Sequence, residues 1–245
     1  VKIFCIIPSR FASSRFEGKS LSLIHGKPMI QWVVEKAKKA ACFTEVFVAT
    51  DDDRIRNAVE PLDVKVVMTA SDHRSGTDRV AEACEILKIP GSNLVVNLQG
   101  DQPMVDPRSL EQVVAPFFED HDVDMSTLAF KIQKKKEITD PKDVKVVFDN
   151  EGSALYFSRS PIPFGRDDQK NYDIYKHLGV YAYTRKFLDR FQNLPSGRLE
   201  KIEKLEQLRA LEFGHRIKVI LTKYDSPEVD LPEDIVKIEQ LLDSV

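Results

Sequence analysis

Apolar residues in the first half of the chain fall into two alternating periods. Short runs rich in β-branched residues, at Lys2 to Ile7, Glu45 to Ala49 and Val64 to Met68, alternate with segments repeating every three to four positions, at Met29 to Ala41 and Arg54 to Glu60. That alternation predicts a parallel sheet covered by helices. Met29, Ile30, Val33, Val34 and Ala37 share one helical face, and Pro28 stands where its missing N–H costs nothing. A further helix over Thr77 to Leu87 leads into Asn93 to Leu98, a Val-rich run that reads as buried on both faces and stops at Gly100-Asp101. In open α/β sheets the ligand crevice lies outside the strands' C-terminal ends. Three loops become candidates: residues 8–20, 50–53 and 99–103.

The second half is less regular. Strands are predicted at Met125 to Phe130, Val144 to Phe148, Ala154 to Ser158, Leu178 to Tyr183 and Ile217 to Leu221, with a hairpin turn at Asp149-Asn150-Glu151-Gly152. Helices are predicted at Arg185 to Phe191, Ile202 to Phe213 and Pro232 to Leu242. With no internal repeat or linker to mark a boundary, the expectation is one α/β domain over residues 1–245, with a β-rich elaboration at about 131–184.

Composition narrows the function classes. At 245 residues and 42% hydrophobic, the chain can bury one large core. Its net charge of −3 comes from interleaved acids and bases, and Lys134 to Lys136 is the one sizeable cationic run, so no nucleic-acid partner is expected. Cys5, Cys42 and Cys84 lie in apolar segments without CxxC spacing and read as reduced core residues. No apolar run approaches the roughly 18 residues of a membrane span, and the first residues read as a strand rather than a signal peptide. A cytoplasmic protein without a membrane partner is the expectation.

The first loop, Pro8-Ser9-Arg10-Phe11-Ala12-Ser13-Ser14-Arg15-Phe16-Glu17-Gly18-Lys19-Ser20, sets Arg forks and a Lys point charge after the first strand. Those are the donors a triphosphate requires. Gly18-Lys19-Ser20 is not a P-loop, because Ser13 stands where that motif needs glycine and Leu21 to Ile24 reads as extended. Asp101 in Gln99-Gly100-Asp101-Gln102-Pro103 is either a Mg2+ ligand or a turn-forming Asx. Asp230 is a second ligand or the N-cap of the last helix. Asp51-Asp52-Asp53 resembles a DxD metal motif but fits a helix N-terminus better. Ser75-Gly76 before a helix either brings backbone amides to a nucleotide or simply caps. His25, His73, His121 and His215 lack ligand spacing.

Taken together, these residues resemble the 3-deoxy-manno-octulosonate cytidylyltransferases, the CMP-KDO synthetases. The likeness runs from Ile6-Ile7-Pro8-Ser9-Arg10 through Gly26-Lys27-Pro28, Ala49-Thr50-Asp51, Ser75-Gly76-Thr77 and Asn97-Leu98-Gln99-Gly100-Asp101. It continues through Ala154-Leu155-Tyr156-Phe157-Ser158-Arg159, His177-Leu178-Gly179-Val180-Tyr181, Leu205-Glu206-Gln207-Leu208-Arg209 and Val229-Asp230. The resemblance implies a Rossmann-like nucleotide-diphospho-sugar transferase fold, a homodimer, CTP as donor, Mg2+ as cofactor and a CMP-sugar made for lipopolysaccharide biosynthesis. By matching position it implies that Arg10, Arg15 and Lys19, with Pro8 and Ser9, hold the triphosphate and that Ser75 and Gly76 frame the cytidine. Asp101 and Asp230 would bind magnesium, Arg159, His177, Tyr181, Glu206 and Gln207 would surround the acid sugar, and Gln99 would stand between the substrates. In this implied scheme Asp101, Asp230, Lys19 and Arg10 carry the chemistry.

Two departures stand out: Glu17 where the family has Pro, adding negative charge near the phosphates, and Gln102 where Glu is commoner. Gln102, with Phe164-Gly165-Arg166-Asp167 and Tyr175-Lys176-His177, resembles the branch acting on 8-amino-3,8-dideoxy-manno-octulosonate. A sialic-acid-type nucleotidyltransferase and a catalytically silent nucleotide-binding protein are the alternatives. A nicotinamide oxidoreductase is excluded by the absence of GxGxxG after the first strand.

Overall fold

The computed structural model describes residues 1–12, 16–120, 122–166 and 172–244. The chain opens with β1 (Ile3–Pro8), a 3-10 turn (Lys19–Leu21), a small hairpin of β2 (Leu23–Ile24) and β3 (Lys27–Pro28), and helix α1 (Met29–Lys39). β4 (Glu45–Thr50), α2 (Asp53–Val59), β5 (Lys65–Met68), α3 (Gly76–Ile86) and β6 (Leu94–Asn97) continue the alternation. Next come α4 (Pro107–Val114), α5 (Pro116–Glu119), β7 (Met125–Lys131), α6 (Lys135–Thr139), β8 (Lys145–Phe148), β9 (Ala154–Ser158) and β10 (Tyr175–Thr184). The chain closes with α7 (Arg185–Asn193), α8 (Arg198–Glu203), α9 (Leu208–Glu212), β11 (Lys218–Thr222) and α10 (Pro232–Leu242).

The main sheet runs β11-β7-β10-β6-β1-β4-β5, with the β8–β9 hairpin attached to β10. β5, β4, β1 and β6 are mutually parallel, as are β7 and β11, while β10 runs against both its neighbours. The period of two along β1 divides its side chains between two cores: Cys5 and Ile7 join Val33 and Val34 of α1 and Leu110 of α4, whereas Ile6 joins Val80 and Cys84 of α3 and Phe187 of α7. Covering both faces is what makes these strands apolar throughout. Cys5 and Cys84 are buried and Cys42 half-buried; burial pushes the Cys42 thiol up to about 11 and Cys84 up to about 12.

Three expectations need correction. The single helix predicted over Ile202 to Phe213 is two, α8 and α9, because Lys204 turns left-handed at φ 54°. That turn folds α9 back so that the Glu212 carboxylate accepts from the N–H groups of Leu199 (2.8 Å) and Glu200 (3.2 Å), satisfying donors at the start of α8. Leu21 belongs to a 3-10 turn, so the segment read as strand-like is extended only from Ser22, and Leu23–Ile24 pair as a strand. Helix α4 went unread although Asp106 caps it through the Arg108 N–H and Pro107 opens it. The hairpin turn is where the sequence places it: Asp149 Oδ1 accepts from Glu151 N (2.9 Å) and Ser153 N (2.8 Å), and Gly152 takes φ 78°.

Candidate active site

Parallel order brings the C-terminal ends of β1, β4 and β6 to one edge of the sheet. Tight packing between their loops depends on glycine. A Cβ at Gly100 would lie 3.0 Å from the Pro8 carbonyl oxygen, and one at Gly76 would lie 3.0 Å from Gln99 Oε1 and 3.3 Å from Pro8 Cγ. The result is a cavity of about 180 Å³ lined by Pro8, Ser9, Arg10, Lys19, Ser75, Gly76, Arg79, Gln99 and Asp101. Six of the seven residues assigned to CTP are therefore together here; Arg15, with Ser13 and Ser14, lies outside the described residues, as do His121 and Asp167. Ser75 also caps α3, its hydroxyl accepting from Asp78 N at 3.1 Å. Capping and lining the cavity are compatible, because the cap leaves the helix start facing the cavity.

Lys19 is the hub of the edge. Its ammonium donates to Asp101 Oδ2 at 2.6 Å and lies 3.8 Å from Asp230 Oδ1. Asp230 reaches this place because Val229 N donates to the Asp101 carbonyl at 3.0 Å, pinning the segment before α10 onto the β6 loop. Asp230 is not the helix cap; Asp234 Oδ2 accepts from the N–H groups of Asp230 (3.1 Å) and Leu231 (3.0 Å) instead. Asp101 Oδ1 is buried without a hydrogen-bond partner. Two carboxylates thus converge on one cationic position, with an acceptor oxygen to spare.

A second cavity, about 920 Å³, meets the first at Gln99 and Asp101. Because β10 runs antiparallel to β6, with Tyr181 opposite Asn97, its His177, Gly179 and Tyr181 reach the same edge and line this larger space. Arg159 and Gln207 also line it; Arg159 donates to the carbonyls of Glu203 and Pro141, both at 2.8 Å, which holds its side chain in place. His177 Nε2 lies 2.9 Å from Thr127 Oγ1, and burial pushes its pKa down to about 3, so it serves as a neutral imidazole. Burial likewise holds the Tyr181 phenol well above its ordinary value.

Glu206 stands apart from the other residues assigned to the sugar. It lines a neighbouring cleft with Ser75 and Asp78, not the large cavity. Its Oε2 accepts from Thr77 Oγ1 at 2.6 Å, at the end of a chain in which Gln99 Nε2 donates to Asn97 Oδ1 (2.8 Å) and Asn97 Nδ2 to Thr77 Oγ1 (3.3 Å). Burial raises the Glu206 pKa, and the hydroxyls of Thr77 and Ser75 oppose that rise. Glu206 therefore fixes Gln99 through buried neighbours rather than facing the space Gln99 borders.

Sequence reading missed several residues. Glu228 lines the large cavity beside Asp101 and Asp230, and withdrawal from bulk water, followed by the Asp101 charge, raises its pKa. The alternation Glu228-Val229-Asp230, with Val229 buried, was the available signal, since it sends both carboxylates to one side. Lys176, 5% exposed, sits among Glu137 (3.3 Å), Asp143 (3.8 Å) and Asp225 (3.0 Å). Arg79 is buried against the nucleotide-side cavity and pairs with Asp51 at 3.4 Å. Asp52 caps α2 by accepting from Arg54 N, so the acidic triplet is helix-terminal as expected. The Arg54 guanidinium, which donates to Asp52, also lies 3.3 Å over the Phe11 ring.

The family described as cytidylyltransferase matches residues 4–217. A 3-deoxy-manno-octulosonate cytidylyltransferase of Desulfatibacillum aliphaticivorans is 60% identical over 242 residues, covering 99% of this chain and 99% of that protein. An 8-amino-3,8-dideoxy-manno-octulosonate cytidylyltransferase of Shewanella frigidimarina is 56% identical over 241 residues, covering 98% of each. A solved CMP:2-keto-3-deoxy-manno-octonic acid synthetase complexed with CTP superposes with a TM-score of 0.92 at 41% identity, over 100% of this chain and 99% of that one.

Proposed function

The chain belongs to the cytidylyltransferase family, and on that footing we propose that it joins CMP from CTP to an eight-carbon ulosonic acid, 3-deoxy-manno-octulosonate or its 8-amino analogue. The observation that carries the reading is the meeting of two cavities at Gln99 and Asp101, one walled by cationic and glycine-rich loops and one large enough for a sugar. In the reaction the sugar's C2 hydroxyl oxygen bonds to the α-phosphorus while the bond to the bridging oxygen of the β-phosphate breaks, and pyrophosphate leaves. Little covalent work falls to the protein; positioning and charge neutralisation supply the rate.

The donor set fits magnesium. Mg2+ prefers oxygen ligands and takes one or two carboxylates beside substrate phosphates, and Asp101 and Asp230 approach the same Lys19 ammonium, with Asp101 Oδ1 buried and without a hydrogen-bond partner. Asp101 and Asp230 would hold the ion, which would supply Lewis acidity to the reacting groups. Lys19 and Arg10 offset the charge on the departing pyrophosphate. Gln99, held by Asn97, stands between the two substrates. Gln207, Tyr181 and neutral His177 wall the sugar without adding charge, and Arg159 brings one guanidinium to the acid sugar's carboxylate.

The family resemblance supports a homodimer in the cytoplasm. Among the described residues no helix is long and apolar enough to cross a membrane. The test is pyrophosphate release from CTP and Mg2+ with 3-deoxy-manno-octulosonate, its 8-amino analogue or sialic acid, against a no-sugar control. Release with either octulosonate is expected. Release with sialic acid alone, or CTP binding with no release from any sugar, overturns the reading.

A further inference from the structure

The reaction as described leaves Glu228 without a task, yet the fold builds a place for its carboxylate. Gln102 is wholly buried and donates from Nε2 to Glu228 Oε1 at 2.8 Å. The other end of that amide, Oε1, is buried without a hydrogen-bond partner, so the bond to Glu228 is what orients the amide. From the opposite side β10 slips register between Leu178 and Tyr181, and Gly179 lies in the slip. A Cβ at Gly179 would stand 2.9 Å from Glu228 Oε1 and 3.4 Å from Gln102 Nε2, so glycine is what admits the carboxylate. Glu228 is thereby oriented by a buried donor, accommodated by a missing side chain, and open to the large cavity.

A carboxylate in this position opposes the rest of the site. Asp101 and Asp230 already face the ammonium of Lys19 and would take up the charge of a magnesium ion between them, and the ligands of the reaction bring a triphosphate and a sugar carboxylate. Neutral hydroxyls would not offset a further full charge beside them. A ligand that carries its own cation would. In the pyranose form C8 is four bonds from C2, a reach of roughly 5 Å, so an amino group at C8 comes near the reacting hydroxyl and hence near the Asp101–Glu228 wall. The three carboxylates around Lys176 already share an ammonium, whereas the Glu228 carboxylate is met by a neutral amide.

We propose that Glu228, aimed by Gln102 and admitted by Gly179, receives the protonated amino group of an amino-bearing ulosonic acid and makes the 8-amino sugar the preferred acceptor. The inference rests on the cytidylyltransferase reading above. Gln102 is a positioning residue: its neutral amide donates where a carboxylate would repel Glu228.

The experiment measures kcat and KM for both octulosonates with wild type, Glu228→Gln and Gly179→Ala. Wild type favours the 8-amino sugar by at least about tenfold in kcat/KM, as a site built to bind one polar group should. Glu228→Gln keeps the shape, removes the charge, and lowers that preference at least about tenfold through the KM of the amino sugar, with the KM of CTP unmoved. Gly179→Ala keeps the charge, displaces the carboxylate, and lowers the preference in the same direction. A preference absent from wild type, or a Glu228→Gln enzyme that loses both sugars equally, overturns the inference and assigns Glu228 to the reaction centre or to accepting hydroxyls. A wild-type enzyme turning over neither sugar fails the parent proposal instead, a result distinct from turnover without preference.

Discussion

At the scale of single residues, His177 shows how burial chooses a protonation state. Its ring packs edge-on against Phe157 at 5.1 Å and against Tyr181 at 5.3 Å, and its Nε2 is matched to Thr127. With a folded pKa near 3 against about 6.5 for free histidine, the folded protein refuses a proton that the unfolded chain accepts between those values. The unfolded state then binds more protons, so this contribution to stability is intact above about pH 6.5 and falls as pH drops toward 3. His177→Asn cannot titrate in either state. The Tm of wild type should therefore fall more than that of the variant between about pH 7.5 and about pH 5, and parallel losses would show that His177 takes up its proton normally in the folded protein. That His177 belongs to the candidate site was suggested only by family resemblance; its neutrality was not legible, because it depends on β10 and β7 pairing across fifty residues.

At the scale of elements, the alternating half was legible because one period of two and one of 3.6 leave different apolar spacings, and β1, α1, β4, β5 and α3 lie within a residue or two of their predicted ranges. The α8–α9 break was not, because Lys204 carries no turn signal and the break depends on Glu212 folding back to cap α8. Asp101 could be suspected from a strand end and Asp230 from its place before the last helix, but only the Val229–Asp101 backbone bond brings them together, across more than a hundred residues. The Lys176 hub was likewise invisible, since its partners come from α6, the segment before β8 and the loop after β11. Lys176→Met should destabilise the fold by about 2 kcal/mol, less than a fully buried pair because water reaches the carboxylates. The deficit should shrink in acid, because burial raises the Asp143 pKa and its charge is lost as pH falls. Urea denaturation at neutral and at acid pH checks both; a loss that is unchanged at low pH would make Lys176 a packing residue rather than a charge hub.

At the scale of the whole molecule, the site is assembled from segments distant in sequence: the loop after β1, the start of α3, the β6 loop, the middle of β10 and the segment before α10. A ligand touching all of them couples its binding to the global fold. CTP with Mg2+ at about a hundred times its dissociation constant should add about 2.7 kcal/mol, which for a chain of this size is a rise in Tm of roughly 5–10 °C. Part of that rise should vanish with EDTA. The metal-dependent part isolates Asp101, because Asp101→Asn removes charge from the point where Asp230 and Lys19 also converge without emptying the space. Relief of crowding among Asp101, Asp230 and Glu228 should leave the unliganded Tm unchanged or higher. The Mg2+ increment with CTP should then largely disappear, while CTP alone still stabilises through the β1 loop and α3. Should the variant keep the full increment, the metal would be held by the phosphates without Asp101, and the ligand pair assigned here would be wrong even if the enzyme makes the CMP-sugar.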